Sequence, residues 1–226
     1  PLFRHDDMKG LGRTLQDIQY GVVRYFVKRV MANLTKPTSI NAIYKDIKSQ
    51  GLKVSKDDLY LWADYVCNIF MFARISKYDR SLVKEQKSLD KYYCIDNGMR
   101  GAVLMPQSND NGKNLENTVF MQLNRMRLPS DKIAYYQGNC ECDFVLQRED
   151  NVIQLIQVTW DMVDASTRER EIKGLLEAAS VTGCENLIIV TKDEENTFNR
   201  EGKEIKVIPA WKWVLLFSCH DFAEFK

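Results

Sequence analysis

The first long pattern of apolar positions in the chain is helical. Leu15, Ile18, Val22, Phe26 and Val30 recur at three- and four-residue intervals, which predicts a helix over 14–34 with Thr14 as its cap. Pro37 ends it, because the residue before a proline is pushed out of helical geometry. A second helix is predicted over 39–50, where Ile40, Ile43, Tyr44 and Ile47 share a face and Gly51 suits the C-terminal cap. A third, over 56–70, has Leu59, Trp62, Ala63, Val66 and Phe70 in its stripe. Ser55 and Asp58 before it have the spacing of a capping box. The period then shortens. Residues 71–78 and 91–96 are β-like, and the loop between them holds Arg80, Lys84 and Lys87. Three helices followed by a basic hairpin is the order of a winged-helix-like module, assigned to 1–97.

Residues 98–114 are rich in Asn, Gly and Ser, as in Ser108-Asn109-Asp110-Asn111-Gly112, and are predicted as a linker. The remaining 115–226 predicts a second domain. Its elements are a helix over 115–126, strands over 133–137, 141–147 and 152–160, a helix over 166–181, strands over 186–191 and 204–208, and a helix over 211–217. The order α-β-β-β-α-β makes the fold mixed α/β.

Charge divides the same way. The 226 residues carry a net charge of +1, but 1–100 hold 18 Lys/Arg against 11 Asp/Glu, and 101–226 hold 14 against 20. The first part could lie beside an anion; the second would repel one unless a metal intervened. Six scattered cysteines, Cys67, Cys94, Cys140, Cys142, Cys184 and Cys219, do not make a disulfide framework. They suggest reduced thiols and a cytoplasmic protein. Two histidines at opposite ends, His5 and His220, argue against zinc. No apolar run approaches the ~20 residues needed to span a bilayer, and charges interrupt the first ten positions, so neither a span nor a leader is expected.

Candidate chemistry sits on two predicted strands. Asp143 lies on one, and Gln157 and Thr159 lie on the next, two residues apart and so on one face. Many metal-dependent nucleases place an Asp on one strand and Glu-x-Lys on the next. There the carboxylates hold a divalent metal, and the lysine orients the nucleophile or offsets developing charge. Here Gln157 stands at the Glu position and Thr159 at the Lys position, so the spacing is present without the charges. Glu116 on the preceding helix and Glu141 beside Asp143 could complete a weak Mg²⁺ site; Glu116 reads more readily as an exposed first-turn residue and Asp143 as a surface or edge-strand carboxylate. No catalytic residue and no metal ligand is therefore expected, with Glu116, Glu141 and Asp143 the weak candidates. Arg74, Lys77, Arg80, Lys84, Lys87 and Lys91 could meet nucleic-acid phosphates, although Asp79, Glu85 and Asp90 dilute them and Asp57 and Asp58 suit the third helix poorly to a duplex groove. Arg168 and Arg170 open a helix whose start could meet a phosphate, or simply form a solvated face.

Taken together, Tyr92-Tyr93-Cys94-Ile95-Asp96-Asn97-Gly98, Leu115-Glu116-Asn117-Thr118-Val119-Phe120, Tyr135-Tyr136-Gln137-Gly138-Asn139-Cys140-Glu141-Cys142-Asp143-Phe144 and Ile156-Gln157-Val158-Thr159 resemble the C-terminal region of bacterial and archaeal AAA-type ATPases. The likeness runs from about residue 20 to the end. It implies a winged-helix-like module joined to a PD-(D/E)xK, restriction-endonuclease-like domain of unknown function, with an ATPase domain upstream. Members with an intact strand have Glu-Val-Lys where this chain has Gln157-Val158-Thr159. The expectation is a non-catalytic region that recognises a protein or nucleic-acid partner, with oligomerisation open. The alternative is a specialised metal-dependent nuclease using Glu116, Asp143 and Glu141. No G-x-x-x-x-G-K-[ST] run occurs, so ATP would enter only through the upstream domain.

Overall fold

The computed structural model describes residues 20–105 and 110–219. The start of the first predicted helix, 14–19, lies outside them, as do His5 and His220. The chain is a mixed α/β fold with two sheets.

Helix α1 (Tyr20–Ala32) buries Val22, Phe26 and Val30 of the expected stripe, and Val23, Val27 and Met31 beside them. Helix α2 (Ile40–Ser49) starts at Ser39, whose hydroxyl accepts from the Ala42 amide at 3.2 Å. Helix α3 (Lys56–Asn68) starts with both halves of the Ser55–Asp58 capping box. The three helices pack around Phe26, Ile43, Leu59, Trp62 and Val66, with the Phe26 and Trp62 rings edge-to-face. Between α1 and α2, Pro37–Thr38 form a two-residue strand, β1, too short to be legible in the sequence.

β2 (Phe72–Ile75) and β3 (Asp90–Cys94) pair antiparallel, and β3 is the central strand of a three-stranded sheet, β1-β3-β2. The loop expected between β2 and β3 is partly helical. α4 (Leu82–Lys87) occupies it, because Leu-Val-Lys-Glu-Gln-Lys contains good helix formers and no alternation. The stretch read as a linker is also helical at both ends. α5 (Asn97–Val103) is capped by Asp96, whose carboxylate accepts from the Gly98 amide at 2.6 Å. α6 (Asp110–Met126) starts five residues earlier than its apolar stripe indicates. A buried ion pair, Arg100 with Asp110, ties the two helices together.

The second sheet has the order β4-β5-β6-β7-β9-β8. β4 (Asp131–Gln137), β5 (Glu141–Arg148) and β6 (Asn151–Val158) are antiparallel neighbours; β6, β7 (Leu187–Thr191) and β9 (Lys203–Pro209) are parallel; β8 (Asn196–Arg200) is an antiparallel edge. Helix α7 (Ala165–Thr182) crosses from β6 to β7, and α8 (Ala210–Cys219) follows β9. β8 escaped the sequence reading because Asn-Thr-Phe-Asn-Arg is almost entirely exposed and has no apolar face. β7 shows the reverse. Its five residues are all buried, with Leu187 and Ile189 on the α7 side and Ile188 and Val190 on the α6–α8 side, as befits a strand covered on both faces.

The two sheets are joined. Tyr78 donates its amide to Tyr135 O at 2.6 Å, and Tyr135 donates to Ser76 O at 3.1 Å, so the chain after β2 extends the β4 edge. β3 serves both cores: Tyr92 and Cys94 enter the helical core, while Tyr93 enters the core under α6.

Candidate functional site

Two elements bring three carboxylates to one place. On α6, Val119, Phe120 and Leu123 anchor the buried face, and Glu116 sits one turn before them on the same stripe. On β5, Ala134 of β4 faces Val145 while Tyr136 faces Cys142, so Asp143 and Phe144 together oppose Tyr135 alone. This bulge re-aims Asp143. Its Oδ2 accepts from the Val158 amide at 3.0 Å, which fixes the carboxylate. Glu141 starts the same strand and keeps 35% of its side chain exposed, the open side of the cluster.

The centre of the cluster is the ammonium of Lys91, supplied by β3. Its side chain is wholly buried. Nζ lies 3.3 Å from Glu116 Oε1 and 3.2 Å from Asp143 Oδ1, forms an ion pair with Glu141 Oε1, and stands 5.3 Å from the centre of the Tyr135 ring. Tyr93, two residues along β3, donates its hydroxyl to Glu116 Oε1 at 2.8 Å and stacks on Phe120 at 4.2 Å. Burial alone would discharge Lys91, but Glu116, Tyr93, Asp143 and Glu141 outweigh it and hold the ammonium well above its ordinary range. Burial, reinforced by Asp143, pushes Glu116 up to about 8 against the opposing pull of Lys91. Three carboxylates around one cation favour a proton on one of them, and burial directs it to Glu116.

The two motif positions are engaged elsewhere. Gln157 Oε1 accepts from the Asp143 amide at 3.1 Å, and its Nε2 donates to Glu171 Oε2. So Asp143 and Gln157 are adjacent, as the spacing predicts. Thr159 donates its hydroxyl to Asp161 O at 3.0 Å and brings no charge. Glu171, on α7, is buried and paired with Arg170; burial and then Asp143 raise its pKa, against the pull of Arg170. Arg168 donates to Met162 O at 3.0 and 2.7 Å, closing the loop that leads into α7.

The basic residues are engaged in different ways. Arg74 pairs with Asp64 at 2.8 Å, Arg80 donates to Val181 O at 2.7 Å, Lys77 is half-buried beside Tyr135, and Lys84 and Lys87 are exposed on α4. Lys91, read as a wing cation, is instead in the core, because its alternation with Tyr93 turns both toward α6. That alternation was the one sequence signal for it. Glu171 had none, hidden in a charged helix face. Among the described residues no group of three or more His, Cys, Asp or Glu is arranged to hold a metal ion, the described cysteines are free, and no helix is long and apolar enough to cross a membrane.

No family model matches the chain, and no solved structure does. It is 28% identical over 213 residues to "Uncharacterized protein MJ1544" of Methanocaldococcus jannaschii, covering 91% of this chain and 46% of that protein. It is 24% identical over 190 residues to an "Uncharacterized protein" of Haemophilus influenzae, covering 84% of this chain and 44% of the relative. The chain thus spans less than half the length of both relatives.

Proposed function

We propose that this chain is the non-catalytic, nuclease-like region of a longer AAA-type ATPase, in which a winged-helix-like module and a PD-(D/E)xK-like sheet together recognise a protein or nucleic-acid partner. One observation carries the non-catalytic part. The side chains at the two motif positions are a neutral amide bonded to Asp143's backbone and to Glu171, and a hydroxyl bonded to a neighbouring carbonyl. Neither offers an anionic oxygen to a metal or a cation to a phosphate. The α6-β4-β5-β6-α7-β7 order, with Asp143 beside Gln157, supports the nuclease-like reading of the fold. The greater length of both relatives supports placement in a longer protein.

A second reading, a specialised metal-dependent nuclease, draws on the convergence of Glu116, Glu141 and Asp143 on one point. Cleavage assays separate the two. The purified chain with Mg²⁺ or Mn²⁺ is expected to leave single- and double-stranded DNA and RNA intact, since losing one electrostatic group in such a site commonly costs roughly 10²–10³ in rate. Gln157→Glu with Thr159→Lys is expected to raise Mn²⁺ affinity. Robust cleavage by the unmodified chain, abolished by Asp143→Ala, would establish the nuclease instead.

A further inference from the structure

We propose that Lys91 is an internal plug: an ammonium, delivered by the central strand of the three-stranded sheet, that fills the Glu116–Glu141–Asp143 cluster and closes it to divalent cations while β3 stays docked. The inference rests on reading those carboxylates as the cation-holding face of a nuclease-like sheet.

The cluster and its occupant come from different parts of the fold. Glu116 is fixed by the packing of α6, and Asp143 by the β5 bulge and the Val158 amide. Asp143 takes its place without β3, whereas α6 is also tied to β3 by the Tyr93 hydroxyl on Glu116 and by the Asn117 side chain on the Cys94 backbone. Lys91 is held on its own side by β3, which pairs with β1 at Pro37↔Lys91 and with β2 at Ile75↔Lys91. The receptor for a positive charge is therefore built by α6 and β5, and the charge is supplied by β3. It is also built for a cation, with three carboxylate oxygens and the face of the Tyr135 ring around one buried Nζ. Tyr93 also donates to Glu116, and the nearby cation Arg170 is paired with Glu171.

Replacing the ammonium with an apolar group of similar length leaves the carboxylates converging on a gap. Buried acids in that state must take up protons or a new cation. Hard oxygen ligands at this spacing need to close from ~3.2 Å to the roughly 2.0–2.6 Å typical of Mg²⁺ and Ca²⁺. The half-exposed Glu141 is free to make that movement, and it gives an ion a way in from solvent.

The test uses the full 226-residue chain stripped of metal and titrated with Mn²⁺ alone, followed by calorimetry and thermal melting. The wild type is expected to show no saturable binding that Asp143→Asn removes. Lys91→Met is expected to bind Mn²⁺ at least about tenfold more tightly and to melt at a higher temperature as Mn²⁺ is added, through ordinary linkage. Lys91→Met with Asp143→Asn should lose both effects. A Lys91→Met protein that folds only with Mn²⁺ present supports the plug equally, and Lys91→Gln, which keeps a donor among the acids, repeats the comparison with less strain. The plug is overturned if the wild type binds as tightly as the variants, if a folded variant binds no better than the wild type, or if the variants stay unfolded at millimolar Mn²⁺. Nucleic-acid cleavage by the wild type would sink the non-catalytic reading by itself; the Mn²⁺ comparison judges the plug separately.

Discussion

Glu116 is the residue at which sequence and structure part most sharply. In the chain it is a first-turn helical Glu that solvent would normally cover; in the fold it is an enclosed acid sharing one ammonium with two other carboxylates. Its proton has a measurable consequence. Unfolded, the side chain ionises near its ordinary value of 4.5, and folded it does so at about 8. Between those values the folded state holds more of the proton, so stability contributed by Glu116 is fully present below pH ~4.5 and is lost as the pH rises toward 8. A single proton limits the slope to about 1.4 kcal/mol per pH unit. Urea unfolding from pH 5 to 9 is expected to show this decline in the wild type and a flatter profile in Glu116→Gln, which keeps an acceptor for Tyr93 but cannot ionise. A Gln variant with the wild-type slope would move the proton to another acid.

At the scale of elements, the sequence was most legible where periodicity and burial agree. α1, α2, α3, β5, β6 and β7 have one or two clear apolar faces, and their caps, at Ser39 and Ser55, follow sequence rules. β8 and α4 were invisible because they are exposed and carry no buried stripe. The helical ends of 98–114 were masked by residues whose turn preference is overridden by tertiary pairing, chiefly Arg100 with Asp110. A further element-level constraint is written in a single glycine. A Cβ on Gly174 would stand 2.0 Å from the carbonyl oxygen of Glu141, so α7 lies directly on the strand that opens the cluster. Gly174→Ala must therefore move helix or strand, and a loss of ~1–3 kcal/mol is expected from overpacking. Gly101, in α5, has nothing within 4 Å of its would-be Cβ. Gly101→Ala is expected to be neutral or to stabilise by up to ~1 kcal/mol through helix propensity. Thermal melts of the pair check both; equal effects would mean that the α7–β5 approach is not a constraint.

Across the whole molecule, the candidate site was half legible. Asp143, Gln157 and their adjacency follow from strand spacing, whereas the cation at the centre comes from a strand assigned to the other module, a long-range pairing that no local pattern encodes. The same strand welds the parts together. Tyr92 and Cys94 fill one core, Lys91 and Tyr93 reach into the other, and the Asn117 side chain of α6 grips both the amide and the carbonyl of Cys94 at 2.8 Å. A chain divided near residue 97 would strip α6 of Tyr93 and leave Glu116, Glu141 and Asp143 without their counter-charge. Residues 98–226 alone are therefore expected not to fold cooperatively, while the intact chain should unfold in one transition seen equally from either core. Asn117→Ala, which orphans two buried backbone groups, is expected to cost ~1–3 kcal/mol and to lower the midpoint for both cores together. Single-tryptophan variants retaining Trp62 or Trp213, one in each core, allow the two to be followed separately in urea. Two separated transitions would show that β3 is a surface contact between independent domains, and would remove the physical basis for the two halves acting as one unit.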